Sequence, residues 1–143
     1  MSVCVYGDLH FSSDRPWSVK VAQKVIASII ESPINNSDNT LVLLGDLTER
    51  ATIDGTVYSM LMSLFVNLKY KEVIILVGNH DGKLNQFNRP VLVYDFVRSK
   101  ALKDRLFKNF TIVDKPLEKN IEGMEFLFLP HIFNDGKKSL KDY

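Results

Sequence analysis

The 143-residue chain predicts an α/β fold, a parallel sheet layered with helices on its faces, from three observations. Short apolar runs recur along it, stretches of helical spacing separate them, and a glycine closes each of the first three runs. Val3 to Tyr6, Leu41 to Leu44 and Val73 to Val77 are rich in β-branched and aliphatic residues, as expected of central strands buried on both faces. Between the first two, Trp17 to Ile30 carries Val21, Val25, Ile26, Ile29 and Ile30 at roughly helical spacing. Pro33 and the polar string Asn35-Asn36-Ser37-Asp38-Asn39 end that helix. Asp54 is of the type that caps a helix, here one running through Tyr58, Leu61, Met62, Phe65 and Leu68. Strand, helix, strand, helix, strand implies two crossovers and parallel, right-handed connections. Beyond the third strand we expect a polar loop over Gly82 to Pro90 and a helix over Val91 to Phe107. Strands then follow at Thr111 to Val113 and Glu125 to Leu129, joined near Gly123. No repeat, linker or low-complexity segment interrupts the chain, so residues 1–143 read as a single domain.

Composition narrows the function classes. A hydrophobic content of 45% with 24% charged residues is that of a globular protein with a real core. No apolar run is long enough to span a bilayer, and the amino terminus has an acidic loop where a signal peptide needs its cleavage region, so a membrane partner is not expected. The single cysteine, Cys4, falls inside the first strand and reads as a small core residue, which fits a reducing, cytoplasmic compartment. A net charge of +1 argues against a protein that grips DNA by bulk electrostatics. Local charge differs: Arg98, Lys100, Lys103, Arg105 and Lys108 form a basic stretch, and Lys137, Lys138 and Lys141 extend it at the tail. Both read first as solvated surface.

The chemistry sits where the first three strands end. Gly7-Asp8-Leu9-His10, Gly45-Asp46 and Gly78-Asn79-His80-Asp81 each follow an apolar run, and a glycine permits the sharp turn that delivers the next residues to the carboxyl edge of the sheet. Asp8, His10, Asp46, Asn79 and His80 combine hard oxygens with imidazoles, a set suited to Mn²⁺, Fe or Zn²⁺ rather than Ca²⁺. Asp46 is the carboxylate best placed to bridge a pair of ions about 3.5–4 Å apart. Plain readings stand beside these: Asp8 and Asp14 are both of the type that caps a turn, and Asn79 tolerates a left-handed conformation while still offering a ligand oxygen. Glu49 and Arg50 are near enough to support the site.

In order and context the three strings resemble the calcineurin-like metallophosphoesterases, whose pattern is Asp-x-His, then Gly-Asp, then Gly-Asn-His-Asp or Glu, each at a strand end. The resemblance implies two divalent metal ions, Mn²⁺ first, with Fe or Zn as alternatives. It makes Asp8 and His10 ligands of the first metal, Asp46 the bridging carboxylate and Asn79 a ligand of the second. His80 then touches the substrate phosphate and assists the leaving group, and Asp81 supports it, orienting His80 or a backbone amide. The family pattern continues with a further His and a Gly-His-x-His, which do not occur before Tyr143. His131, the remaining histidine, reads as a loop or surface residue. The chain is therefore expected to be a partial domain, truncated or split, its site completed by a further carboxyl-terminal segment or by self-association.

Within the family, Gly-Asp-Leu-His, Gly-Asp-Leu-Thr-Glu and Phe-Leu-Pro-His look similar to the DNA-repair nuclease subunit of SbcCD type, including phage recombination nucleases. That branch implies cleavage of DNA phosphodiesters in recombination or repair, a coiled-coil ATPase partner, and the cytoplasm of a bacterial or phage-infected cell. Two alternatives stay open. One is a phosphoesterase acting on a small nucleotide or a phosphoprotein; the other is a catalytically incomplete binding or regulatory subunit.

Overall fold

The computed structural model describes residues 1–133. Four parallel strands, β1 (Val3–Gly7), β2 (Thr40–Leu44), β3 (Glu72–Leu76) and β6 (Phe110–Val113), form one sheet in that spatial order. They pair in register, Gly7 opposite Leu44 and Leu44 opposite Leu76, so the first three strands end level with one another. Helix α1 (Pro16–Glu31) links β1 to β2, and α2 (Gly55–Val66) links β2 to β3. Because the strand order advances steadily, crossovers of one hand return over the same face, and both helices pack there. Ala22, Ile26 and Ile29 of α1 meet Leu61, Leu64 and Phe65 of α2 over Leu41, Leu43, Val73 and Ile75 in one buried cluster.

Local chemistry explains the helix limits. Pro16 stands in the first turn of α1, where its fixed φ helps and its missing N–H costs nothing. Asp14 does not cap that helix; it pairs with Arg50 at 2.9 Å, and Arg15 occupies the cap position. Asp54 caps α2 as expected, accepting from the Val57 amide at 3.0 Å. The hydrogen bond from Ser13, followed by that from Val57, holds the Asp54 carboxyl below its ordinary pKa. The polar turn after α1 is partly interior. Asn35 donates to the Ile30 and Asn67 carbonyls and accepts from the Lys69 amide, tying the ends of both helices together.

The second half departs from expectation. The segment expected to be a polar loop, with the start of the expected helix, forms a small antiparallel hairpin, β4 (Gly82–Leu84) with β5 (Pro90–Leu92). The helix expected over Val91 to Phe107 is broken into β5, a 3-10 turn at Asp95–Arg98 and a short α3 (Lys100–Arg105). Its apolar residues bury themselves by turning rather than by helical period: Leu92, Tyr94, Val97 and Phe107 all join the helix-side core. The strand at Thr111 to Val113 pairs with β3, not across Gly123. Gly123 instead turns a second hairpin, β7 (Leu117–Ile121) with β8 (Met124–Phe128).

This second hairpin covers the other face of the sheet, where Ile121 and Phe128 pack on Val42, Ile74 and Val113. It packs on β2, β3 and the edge strand β6, and of β1 only Val3 meets this cluster. β1 lies at the sheet edge, so Val5 and, beside it, Leu44 remain exposed, and these two strands are not buried on both faces along their length. Cys4 is half-buried against the helix-side core. No helix among the described residues is long and apolar enough to cross a membrane. Lys137, Lys138 and Lys141 lie outside the described residues.

Candidate metal centre

Beyond their last paired residues, the chains after β1 and β2 continue side by side. His10 N–H donates to the Asp46 carbonyl at 2.9 Å, Phe11 N–H to Leu47 at 2.8 Å, and Glu49 N–H back to Phe11 at 3.1 Å. This extension of the ladder past the sheet edge brings the first two strings together. Asp8, His10 and Asp46 each offer a ligand atom, and the three atoms lie within 4.8 Å of one another. A second group, His10, Glu49 and His80, meets the same distance, so His10 belongs to both. The His10 and His80 rings stand edge to face with centroids 5.2 Å apart.

The backbone at these positions is unusual. Asp8, His10 and Asp46 all adopt positive φ, between 47° and 51°, where side chains other than glycine are seldom found. Asn79, expected to tolerate such a conformation, is not among them. At Gly45 the glycine is required twice, by its own φ of 56° and by the Gly78 backbone, whose nitrogen lies only 2.6 Å from where a Cβ would stand. Gly78 has an ordinary φ, but a Cβ there would meet Asp46 Oδ1 at 2.2 Å. Gly7 has no such need; a Cβ would meet only Leu44 at 3.4 Å. After β1 the sharp turn falls on Asp8 and His10 themselves.

Asp81 is the keystone of the second and third strings. It is fully buried, and its carboxylate accepts from the amides of Leu47 (2.9 Å), Thr48 (3.3 Å) and Gly78 (2.9 Å) and from the Tyr94 hydroxyl (3.1 Å). Burial pushes its carboxyl above the ordinary pKa, and burial together with the neighbouring Asp81 raises the Tyr94 phenol. Asp81 therefore holds backbone amides in place, at positions flanking Asp46 and Asn79. Asp46 in turn accepts from the His80 amide at 2.9 Å.

His80 faces Glu49 through Nδ1, which lies 2.7 Å from the Glu49 carbonyl. A carbonyl only accepts, so Nδ1 carries the proton and Nε2 is the atom left free. This contact raises the His80 pKa above its ordinary value, with the Asp46 and Glu49 charges adding to the effect. Glu49 is the residue sequence reasoning undervalued. Its carboxylate stands 2.8 Å from His10 Nδ1, close but without the alignment of a hydrogen bond, so that buried nitrogen lacks a regular partner. His10 Nε2 is 3.9 Å from Asp8. The ring thus presents one nitrogen toward the Asp8 side and the other to a carboxylate, the arrangement by which an outer carboxylate orients a metal-ligating histidine. The available signal was spacing: in Gly-Asp-Leu-Thr-Glu, Glu49 lies three residues past Asp46 on the same loop.

Asn79 is exposed in the turn between Gly78 and His80, and its side chain makes no hydrogen bond among the described residues. His131 is exposed, packs edge to face on Phe133, and is held by its backbone amide to the Val77 carbonyl at 2.8 Å, directly before the third string. It enters neither ligand group. Of the basic stretch, Arg98 pairs with Asp114 and Lys103 donates to the Phe110 carbonyl, which leaves Lys100, Arg105 and Lys108 exposed.

The donor set fits divalent metal. Two carboxylates and an imidazole converge on one point at the end of the sheet, and a buried imidazole nitrogen sits against a carboxylate, as expected of residues arranged to face a cation. No curated protein matches the chain. Among solved structures, the protein of unknown function AQ665 from Aquifex aeolicus shares its fold, at 15% identity and a TM-score of 0.50, over 89% of this chain. The chain spans 59% of the length of that protein. The calcineurin-like phosphoesterase family model matches residues 1–141, and the chain belongs to that family.

Proposed function

We propose that this metal-dependent phosphoester hydrolase domain acts on the phosphodiesters of DNA with Mn²⁺ as its preferred ion. The observation that carries the reading is the convergence of Asp8, His10 and Asp46 on one point, with His80 against His10. Asp8, His10 and Asp46 would hold one ion, and Asp46 with Asn79 the other. Bound there, the ions would supply Lewis-acid polarisation of the phosphoryl group and a water acidic enough to ionise near neutral pH.

The chain's own residues do the rest. His80, with Nδ1 committed to the Glu49 carbonyl, carries its second proton on Nε2 when protonated, and that proton is available to a departing alkoxide. The raised pKa keeps a larger share of His80 in that form at neutral pH. Glu49 orients His10, and Asp81 fixes the amides that position Asp46 and His80. A DNA substrate is favoured by the similarity of the three strings and the Leu-Pro-His segment to SbcCD-type nucleases; a coiled-coil ATPase partner belongs to the same reading.

Two measurements test it. Mn²⁺ should raise the melting temperature by mass action, and Asp46→Ala should remove most of that increase; indifference to Mn²⁺, Fe²⁺ and Zn²⁺ alike would refute the metal site. In the full-length protein that carries this domain, linear DNA should be cut in Mn²⁺ and spared in Asp46→Ala and His80→Asn. Hydrolysis of nucleoside monophosphates or phosphopeptides with DNA left intact would overturn the substrate.

A further inference from the structure

His10 stands between two groups of donors. Toward Asp8 and Asp46 it completes the oxygen-rich set of the hydrolytic centre. Toward Glu49 and His80 it completes a different set, two imidazoles and one carboxylate, with a donor atom of each within 4.8 Å of the others. Glu49 and His80 are not ligands in the first set: one orients His10, and the other is placed to serve the leaving group.

Two histidines and a glutamate with an open fourth position are a donor set of tetrahedral zinc. Imidazole suits Zn²⁺, whereas carboxylate and water suit Mn²⁺, so the two groups around His10 differ in the ion they prefer. The atoms of the second group are already close to what zinc needs. His10 Nδ1 is buried without a hydrogen-bond partner and lies 2.8 Å from a Glu49 carboxylate oxygen. Ligands about 2.0–2.1 Å from a tetrahedral zinc stand roughly 3.3 Å from one another, so this pair opens only slightly to admit the ion. His80 Nδ1 is held at the Glu49 carbonyl, 2.7 Å away, and Nε2 is the nitrogen that takes a cation without giving up that contact. His10 and Glu49 also line a groove of about 460 Å³, which gives an ion a way in. The nearest guanidinium, Arg50, does not oppose it, being paired with Asp14.

We infer that His10, Glu49 and His80 form an inhibitory zinc site, which shares the His10 ring with the hydrolytic centre but uses its other nitrogen. A neutral imidazole that gives one nitrogen to a metal keeps its proton on the other. Zn²⁺ on His10 Nδ1 therefore leaves a proton on Nε2, the nitrogen on the Asp8 side, and takes His10 away from the hydrolytic ion. The same Zn²⁺ on His80 Nε2 occupies the lone pair that would carry the proton to the leaving group. One ion thus disables a ligand and an acid together, and by linkage each metal weakens the other by the same factor. The effect on activity rests on the phosphoester-hydrolase reading; the site itself does not.

The chain has only three histidines, so nitrogen-15 NMR of the imidazoles resolves the site atom by atom. The first equivalent of Zn²⁺ added to metal-free protein should shift His10 Nδ1 and His80 Nε2 and leave His131 unchanged. A shift of His10 Nε2 with His80 untouched would mean that zinc enters the hydrolytic set, and overturns the inference; so does a protein that binds no Zn²⁺. Variants give a second arm, read by thermal shift and by Zn²⁺ titration. Asp8→Gly, which should lose most of the Mn²⁺ increment, should keep that of Zn²⁺. Glu49→Gln should weaken Zn²⁺ binding at least about 10-fold, the smallest loss expected even for an outer partner of a metal ligand. Unchanged Zn²⁺ affinity in Glu49→Gln, or its loss in Asp8→Gly, overturns the site. In the full-length protein, Zn²⁺ should inhibit Mn²⁺-supported hydrolysis, and excess Mn²⁺ should relieve the inhibition. The two readings fail separately: Zn²⁺ on His10 Nδ1 and His80 Nε2 of a protein that hydrolyses no phosphoester sinks the hydrolase and leaves the site standing. Mn²⁺-dependent hydrolysis with Zn²⁺ found only on His10 Nε2 sinks the site alone.

Discussion

Replacing Asp81 by alanine should destabilise the protein more than replacing any metal-facing residue. In the wild type its carboxylate receives three backbone amides and the Tyr94 hydroxyl, in a place without solvent. The alanine variant strands those three amides; a buried donor left without a partner costs about 1–3 kcal/mol, and the shared network makes the sum less than additive, so a loss of about 4 kcal/mol is expected. That is a large fraction of the roughly 5–15 kcal/mol by which such domains are stable. Tyr94→Phe removes one of the four hydrogen bonds and leaves the amides satisfied, with an expected loss of about 1 kcal/mol. Urea unfolding at constant slope gives both numbers. A pH series adds a signed test. Burial raises the Asp81 pKa, so its contribution is fully present below the ordinary carboxylate pKa and shrinks as pH rises through the raised value. The stability gap between wild type and Asp81→Asn should therefore narrow over that window. An Asp81→Ala variant within about 1 kcal/mol of wild type would refute the bracing role.

Other outcomes follow from the same geometry. Gly78→Ala should abolish Mn²⁺-dependent stabilisation, because its Cβ meets Asp46 Oδ1 at 2.2 Å, whereas Gly55→Ala, with nothing within 4 Å, should keep it; thermal shift with and without metal checks both. In metal-free protein, NMR titration should give His80 a pKa above its ordinary value. The stabilisation from its Glu49 contact should be complete below the ordinary histidine pKa and lost as pH climbs through the raised one. Leu61→Ala, at a fully buried position between the helices and the sheet, should cost about 2–5 kcal/mol while leaving the Mn²⁺-induced increment intact.

What the sequence made legible was the part governed by local rules. The first three strands and two helices follow from apolar period and from one cap, Asp54, and they fix where the three strings emerge. The stretch from Gly82 to Phe107 was not legible in this way. Its apolar residues bury themselves through a hairpin and two short helical turns, and the Tyr94 hydroxyl meets Asp81 there, a contact thirteen residues apart that no period announces. Strand β7 was missed for a related reason. Leu117-Glu118-Lys119-Asn120-Ile121 is mostly polar, and it is a strand because β8 pairs with it and Lys119 reaches Glu72 of the sheet. At the site, Asp8, His10 and Asp46 were visible as residue types, but the partner of His10 was not, since Glu49 acts through both its carboxylate and its carbonyl and only the fold brings the two histidines to it.

The left-handed backbone at Asp8, His10 and Asp46 connects stability to function. Three residues that offer metal ligands all sit where an L side chain crowds its own backbone, at a cost of about 1 kcal/mol each, a little less for aspartate. Regular structure elsewhere over-determines these turns: the ladder from His10 to Asp46 and from Phe11 to Leu47 leaves the backbone no other course. Two other residues share this conformation, Asn88 and Glu122, and both turn hairpins; Asp8, His10 and Asp46 turn no hairpin, and their clustering at one site points to a functional reason for the strain. Asp8 offers the cleanest measurement, since its exposed carboxylate comes no nearer to His10 Nε2 than 3.9 Å. Asp8→Gly should make the metal-free protein as stable as wild type or more so, by up to about 1 kcal/mol, and should lose most of the stabilisation by Mn²⁺. A variant destabilised without metal would mean that Asp8 serves the fold, and the strain would then need another explanation.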